Sequence, residues 1–65
     1  MATFIRFYCE NEYEDSLTVR KIENQLSINF WENDNLKKEI VLSKDDCKIL
    51  IDELNRLYFK LNNNG

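Results

Sequence analysis

The stretch that decides the fold is QLSINFWE at residues 25–32, because apolar and polar side chains alternate along it. Leu26, Ile28 and Phe30 fall on one side, and the residues between them fall on the other. A period of two is typical of a β-strand that has one face against a protein core and one face in water. This segment therefore predicts a strand with an apolar face and a polar face.

Three further strands are predicted around it, at about residues 2–10, 16–23 and 37–42. The first is dense in β-branched and aromatic residues, and the other two resume the alternation. Polar residues at 23–24 and 33–35 have turn chemistry, and asparagine tolerates the left-handed backbone conformations of tight turns. We expect consecutive hairpins, and therefore a meander-like antiparallel sheet of four strands.

The alternation also assigns each strand residue to one of two faces. The side chains expected to point inward are Ile5, Phe7, Leu17, Val19, Leu26, Ile28, Phe30, Ile40 and Leu42. The side chains expected to point outward are Phe4, Arg6, Tyr8, Thr18, Arg20, Ser27, Asn29, Trp31 and Val41.

A helix is predicted at about residues 44–62. The Ser43 hydroxyl can accept a hydrogen bond from the amides of the first turn, and Asp45 and Asp46 lie where the helix dipole favours negative charge. Spacing at 100° per residue puts seven apolar side chains in one broad stripe: Cys47, Leu50, Ile51, Leu54, Leu57, Tyr58 and Leu61. We expect a single α+β domain over residues 1–65, in which this amphipathic helix packs on one face of the sheet.

The order of these elements, with Glu39-Ile40-Val41-Leu42-Ser43 running directly into the helix, resembles that of the transcriptional-coactivator and Whirly families that bind single-stranded DNA. The resemblance is one of topology over most of the chain and includes no specific motif. The chain differs from these families because it is acidic and poor in clustered lysines, so no family residue is transferred to it.

Several residue types on which catalysis depends are scarce. Histidine, the commonest proton carrier near neutral pH and the commonest metal ligand, is absent. The only glycine is Gly65, so no glycine-rich loop is present to hold a phosphate. Cys47 lies on the apolar stripe, so we expect a buried structural thiol rather than a reactive one. We therefore expect a protein that is not an enzyme and that has no cofactor and no metal site.

The number of cysteines and the hydropathy of the chain indicate where in the cell the protein is expected. Cys9 and Cys47 are too few for the disulfide framework of a small secreted domain. No apolar run approaches the roughly 18 residues of a membrane span, and no leader-like segment precedes the first strand. These features predict a cytoplasmic protein with no membrane partner.

The outward sheet face carries a mixture of aromatic and cationic residues that suits a partner. The candidate partner-binding residues are Phe4, Arg6, Tyr8, Arg20 and Trp31. Tyrosine, tryptophan and arginine are frequent hot spots of protein interfaces. Rings and arginines also suit single-stranded nucleic acid, since bases stack on rings while arginines meet phosphates. The third interpretation is an ordinary antiparallel sheet that has one face in water, carries a few exposed rings there and binds no partner.

The back of the helix offers a second surface, because Ile49 and Phe59 fall outside the apolar stripe and close to Arg56. A symmetric dimer that buries them would also add stability to a chain of only 65 residues. We therefore predict a homodimer. In the alternative interpretation, Tyr13 or the chain ends fold over Phe59.

The loop at residues 10–15 is the densest run of charge, with the carboxylates of Glu10, Glu12, Glu14 and Asp15. It is either a solvated loop that keeps the protein soluble or an anionic surface for a basic partner. The net charge of −3 does not favour binding to duplex DNA or to an anionic membrane.

Taken together, these patterns predict a non-enzymatic protein-interaction module. We expect it to be homodimeric and to serve a bacterium or its phage as a small regulator or inhibitor of a partner protein. The alternative prediction is a single-stranded nucleic-acid-binding domain that uses the outer sheet face. The sequence leaves the partner, the dimer interface and the strand order open.

Overall fold

The computed structural model describes residues 4–62, and their side chains from 5 to 61. The elements are β1 (Phe4–Tyr8), β2 (Asp15–Ile22), β3 (Gln25–Glu32), β4 (Asn35–Leu42) and α1 (Lys44–Asn62). An antiparallel sheet of four strands followed by one helix confirms the α+β prediction. The predicted start of the first strand at residue 2 lies outside the described residues.

The sheet is a meander in which each strand pairs with the next, in the order β1-β2-β3-β4. Two-residue turns join β2 to β3 and β3 to β4. Glu23 has φ 54° and Asn33 has φ 56°, so both turns contain a residue in the left-handed region. Asparagine tolerates this region well, whereas glutamate is there only because the hairpin requires it.

The strand register assembles the residues that were expected inward. Ile5, Val19, Ile28 and Ile40 face one another across all four strands, and the next row contains Phe7, Leu17, Phe30 and Lys38. We call this surface the apolar sheet face; its nine apolar members are Ile5, Phe7, Leu17, Val19, Leu26, Ile28, Phe30, Ile40 and Leu42.

The opposite surface, the polar sheet face, carries the alternate residues. Its rows include Arg6, Thr18, Asn29 and Glu39, and then Tyr8, Ser16, Trp31 and Leu36. A bulge at Lys37 places Leu36 here, because Phe30 pairs with Lys38 while the next residue, Trp31, pairs with Leu36. An extra residue in one strand shifts the alternation by one.

Helix α1 begins directly after β4. The Ser43 Oγ accepts a hydrogen bond of 3.1 Å from the Asp46 backbone N–H, which confirms the predicted cap. The helix packs against β3 and β4 and does not contact β1 or β2. On its inner side, Cys47 and Leu50 are half-buried. In the described residues, no helix is long and apolar enough to span a membrane.

The burial pattern differs from the one expected for a closed core. Among the described side chains, the buried ones are all polar: Ser16, Thr18, Ser27 and Asn29, of which Ser27 alone is fully buried. No described apolar side chain reaches the same burial. The reason is geometric: α1 contacts only β3 and β4, and even on these strands Phe30 and Ile40 stay exposed, so much of the apolar sheet face has no second layer above it.

Candidate interaction surfaces

The apolar sheet face is the first candidate surface, because much of it contacts solvent. Ile5 is 57% exposed, Phe7 53%, Ile40 41% and Phe30 38%. Leu17, Val19 and Ile28 between them are half-buried. Soluble monomers rarely leave several large apolar side chains exposed side by side on one face, so this face has the character of an interface.

The second apolar surface is the part of the helix stripe that extends past the sheet. We call it the free helix stripe; it contains Ile51, Leu54, Leu57, Tyr58 and Leu61, which are between 41% and 74% exposed. These residues were expected to contact the sheet. They are instead exposed, whereas Cys47 and Leu50 in the N-terminal half of α1 are half-buried.

The total exposed surface supports the same conclusion. A folded monomer of 7.9 kDa is expected to expose about 4,400 Å². This chain exposes 5841 Å². The difference is about 1,400 Å², more than the roughly 800 Å² that each partner buries in a stable protein interface.

The polar sheet face is built around Trp31. Its indole Nε1–H donates a hydrogen bond of 3.1 Å to the Thr18 Oγ1 on the neighbouring strand. The Arg6 guanidinium lies over the Trp31 ring, 5.1 Å from its centroid, in a cation–π contact. These two contacts tie the side chains of β1, β2 and β3 together across the face.

A second set of hydrogen bonds continues this network to β4. The Asn29 Nδ2 donates to the Ser27 Oγ at 3.2 Å, and the Ser27 Oγ donates to a Glu39 carboxylate oxygen at 2.7 Å. The hydroxyl and amide groups are recessed between larger neighbours. The result is a recess of about 360 Å³ lined by Arg6, Thr18, Arg20, Asn29, Trp31, Leu36 and Glu39.

Positive charge at this recess is not fully compensated. In the described part of the chain, neither Arg6 nor Arg20 has an ion-pair partner. The Arg6 Nε atom is buried and has no hydrogen-bond acceptor among the described residues. Glu39 is the single carboxylate at the rim. An anionic or hydrogen-bond-accepting group would find donors here.

The predicted partner-binding residues of the sheet are partly brought together. Arg6, Arg20 and Trp31 line the same recess, while Tyr8 lies in the row beside it and is 65% exposed. Phe4 pairs with Arg20 in the backbone register, and its side chain lies outside the described residues. Leu36 also lines the recess and was missed, because the bulge that turns it to this face has no clear signal in the sequence.

The back of the helix presents the predicted pair Ile49 and Phe59, which are 64% and 66% exposed. Arg56 beside them donates hydrogen bonds to the Glu53 carboxylate through its Nε and Nη2. This contact lowers the pKa of Glu53 and raises the pKa of Arg56. Tyr13 does not cover Phe59 as the alternative proposed, since it is 80% exposed in its loop.

The acidic loop is exposed along its whole length. Its backbone is nonetheless held in place: the Asp15 N–H donates to the Glu12 carbonyl at 2.8 Å, and the Asn33 N–H donates to the Glu14 carbonyl at 2.7 Å. In residues 4–62, its carboxylates Glu10, Glu12, Glu14 and Asp15 have no ion-pair partner. The loop therefore presents uncompensated negative charge at the end of the sheet opposite the start of α1.

The remaining candidates for a reactive site are the thiols and the clustered carboxylates. Cys9 is exposed and Cys47 is half-buried, and both are free thiols. Among the described side chains, no group of three or more cysteine, aspartate or glutamate residues is arranged to hold a metal ion.

No protein-family model, curated protein or solved structure matches this chain.

The hydrogen-bond network of the polar sheet face generates a stability prediction. Replacement of Ser27 by alanine leaves the buried Asn29 amide and the Glu39 carboxylate without their shared partner. We expect the free energy of unfolding in urea to fall by about 1–2 kcal/mol. Ser16→Ala is the matched control, because Ser16 is also buried but makes no side-chain hydrogen bond among the described residues. Equal losses for the two variants at the same protein concentration would contradict the network.

Proposed function

We propose that this chain is a non-enzymatic protein-interaction module that works as a homodimer in the cytoplasm. Its role is that of a small regulator or inhibitor, encoded by a bacterium or its phage, that binds a partner protein. The observation that carries the proposal is the absence of any fully buried apolar side chain in residues 5–61, next to two large exposed apolar surfaces.

The dimer follows from the cost of that exposure. Each buried Å² of apolar surface contributes about 25 cal/mol, so leaving such a face in water forgoes the main driving force of folding. A small chain gains this stability by association with a second copy. The apolar sheet face and the free helix stripe are therefore assigned to the dimer contact.

The surfaces left for a partner protein are those that the dimer does not use. They are the polar sheet face around Arg6 and Trp31, the back of the helix with Ile49 and Phe59, and the acidic loop at residues 10–15. Arginine and tryptophan at the centre of a face suit a protein hot spot. The ordered backbone of the acidic loop supports recognition of a basic partner, since its charges are held in fixed positions.

The proposed dimer contact can be tested by one substitution on each side of the helix. We expect sedimentation equilibrium to give a dimer for the natural chain, and Leu54→Asp to weaken it at least a hundredfold, because an unpaired carboxylate in an apolar contact costs about 3–5 kcal/mol. Phe59→Asp is the matched control, since it places the same charge on the back of the same helix. We expect Phe59→Asp to remain dimeric.

Two results would contradict this assignment. A natural chain that stays monomeric at high micromolar concentration would remove the dimer. Dissociation by Phe59→Asp with no effect of Leu54→Asp would move the contact to the back of the helix.

A second candidate function is the binding of single-stranded nucleic acid on the polar sheet face. The observation that favours it is the meeting of Arg6, Arg20 and Trp31 at one recess, where two cations that have no ion-pair partner in residues 4–62 lie beside an aromatic ring. A base can stack on the outer face of the Arg6 guanidinium while Arg20 meets a phosphate. The net charge of −3 opposes this function.

Trp31 is the only tryptophan and provides the test of this second candidate. If the face binds an oligonucleotide, tryptophan fluorescence is quenched at low salt and recovers as salt is added. Arg20→Gln is then expected to reduce the salt dependence of the oligonucleotide binding constant by about one released counterion. Lys21→Gln, on the other face, is expected to leave it unchanged. Unchanged fluorescence at low salt would exclude the candidate and leave the protein-interaction proposal standing.

A further inference from the structure

The direction in which α1 leaves the sheet is set at its first residue. Ser43 alone separates β4 from α1. Its Oγ accepts from the Asp46 N–H at 3.1 Å and its carbonyl accepts from the Cys47 N–H at 2.9 Å. With only one residue between the strand and the helix, few backbone torsions are available to swing α1 across to β1 and β2. The free helix stripe is therefore held away from the sheet of its own chain.

A gap marks the place where the helix and the sheet diverge. A groove of about 480 Å³ opens between the first turns of α1 and the β2–β3 turn, with Leu26, Cys47 and Ile51 among its lining residues. At 1.5 Å per residue, a helix of 19 residues is about 28 Å long. The helix thus carries Leu54, Leu57 and Leu61 well past the point of contact.

We infer that two copies of this chain complete each other reciprocally, so that the free helix stripe of each copy packs on the apolar sheet face of the other. The inference rests on the proposed homodimer and specifies which surfaces meet in it. The β1–β2 half of the face, with Ile5, Phe7, Leu17 and Val19, receives the helix of the second copy. Each core is then built from the sheet of one chain and the helices of both.

The two surfaces match in kind and in area. A stable layer of α on β needs one apolar sheet face and one apolar helix stripe, and each copy exposes one of each. Nine large side chains on these surfaces, each about half exposed at roughly 100 Å², provide on the order of 800 Å² per copy, which is the size of a standard interface. Two-fold symmetry makes the contact occur twice.

Charge favours this pairing over a contact of like with like. The register places Lys21 and Lys38 on the apolar sheet face. Packing two such faces together would enclose the lysines of both copies in one layer, which is costly. The reciprocal arrangement keeps the lysines of the two sheets apart, because each sheet then faces a helix.

The decisive experiment mixes two variants that are each defective on a different surface. Phe7→Lys damages the sheet face and Leu54→Asp damages the helix stripe, and both side chains are more than half exposed in the single chain. Each variant alone has two damaged contacts. In a reciprocal heterodimer, one contact is natural and the other contains both substitutions, which carry opposite charge. We expect the heterodimer to form at least tenfold more tightly than either variant homodimer, as measured by sedimentation of differently labelled chains.

The other outcomes are distinguishable. If the natural chain dimerises but the mixed variants do not prefer each other, the reciprocal contact is excluded while the homodimer stands. If the natural chain is a monomer, both are excluded. If each variant is unfolded alone, recovery of the helical circular dichroism signal on mixing supports the inference, and a mixture that stays unfolded overturns it.

A measurement on the natural chain gives an independent check. In a dimer mixed from isotope-labelled and unlabelled copies, filtered nuclear Overhauser spectra report only contacts between copies. We expect such contacts between the methyl groups of Leu57 or Leu61 and those of Ile5 or Val19. Contacts between the two helices alone, or between the two sheets alone, would overturn the inference.

Discussion

The structure depends on how much of the apolar sheet face its single helix can cover. Strands β2, β3 and β4 have eight residues each and are apolar on the same side, so the sheet presents a wide surface that must be removed from water. The chain has one helix for this task, and the helix reaches only two of the four strands. Exposure of the rest explains why no apolar side chain is buried in residues 5–61, and it is the basis of the proposal that a second copy completes the fold.

The polar sheet face contributes what the single chain can supply by itself. Hydrogen bonds from Trp31 to Thr18, from Asn29 to Ser27 and from Ser27 to Glu39 cross three strands and give the buried Thr18, Ser27 and Asn29 side chains a partner. Such a network orders the strands but adds little net stability, because water satisfies the same groups in the unfolded chain. The proposal therefore gives the two faces different roles: the apolar one associates with a second copy, and the polar one stays open for a partner.

Much of this architecture was predictable from local patterns in the sequence. Alternation at residues 25–32 specified the strand and both of its faces, and the Ser43 hydroxyl specified the start of the helix. These predictions succeeded because they depend on the period of side-chain direction and on one capping bond. The packing of the helix was harder to predict, since hydrophobic spacing shows which side of α1 is apolar but not which surface it meets.

The candidate sites show the same division between features that local patterns predict and features that depend on three-dimensional packing. Arg6, Arg20 and Trp31 were found because alternation alone places them on one face. Leu36 was missed because the bulge at Lys37 shifts the alternation by one residue. The free helix stripe was expected to be core, and the direction of the helix axis, set at the junction with β4, is a property of the three-dimensional structure that no periodicity reports.

The most direct test of the central claim is the dependence of thermal unfolding on protein concentration. If folding requires a second copy, the midpoint temperature rises with concentration, because mass action favours the associated state. A rise of several degrees over a hundredfold range is the result that this account predicts. A midpoint that stays constant over the same range, with a single cooperative transition, would mean that one chain is stable alone and would contradict it.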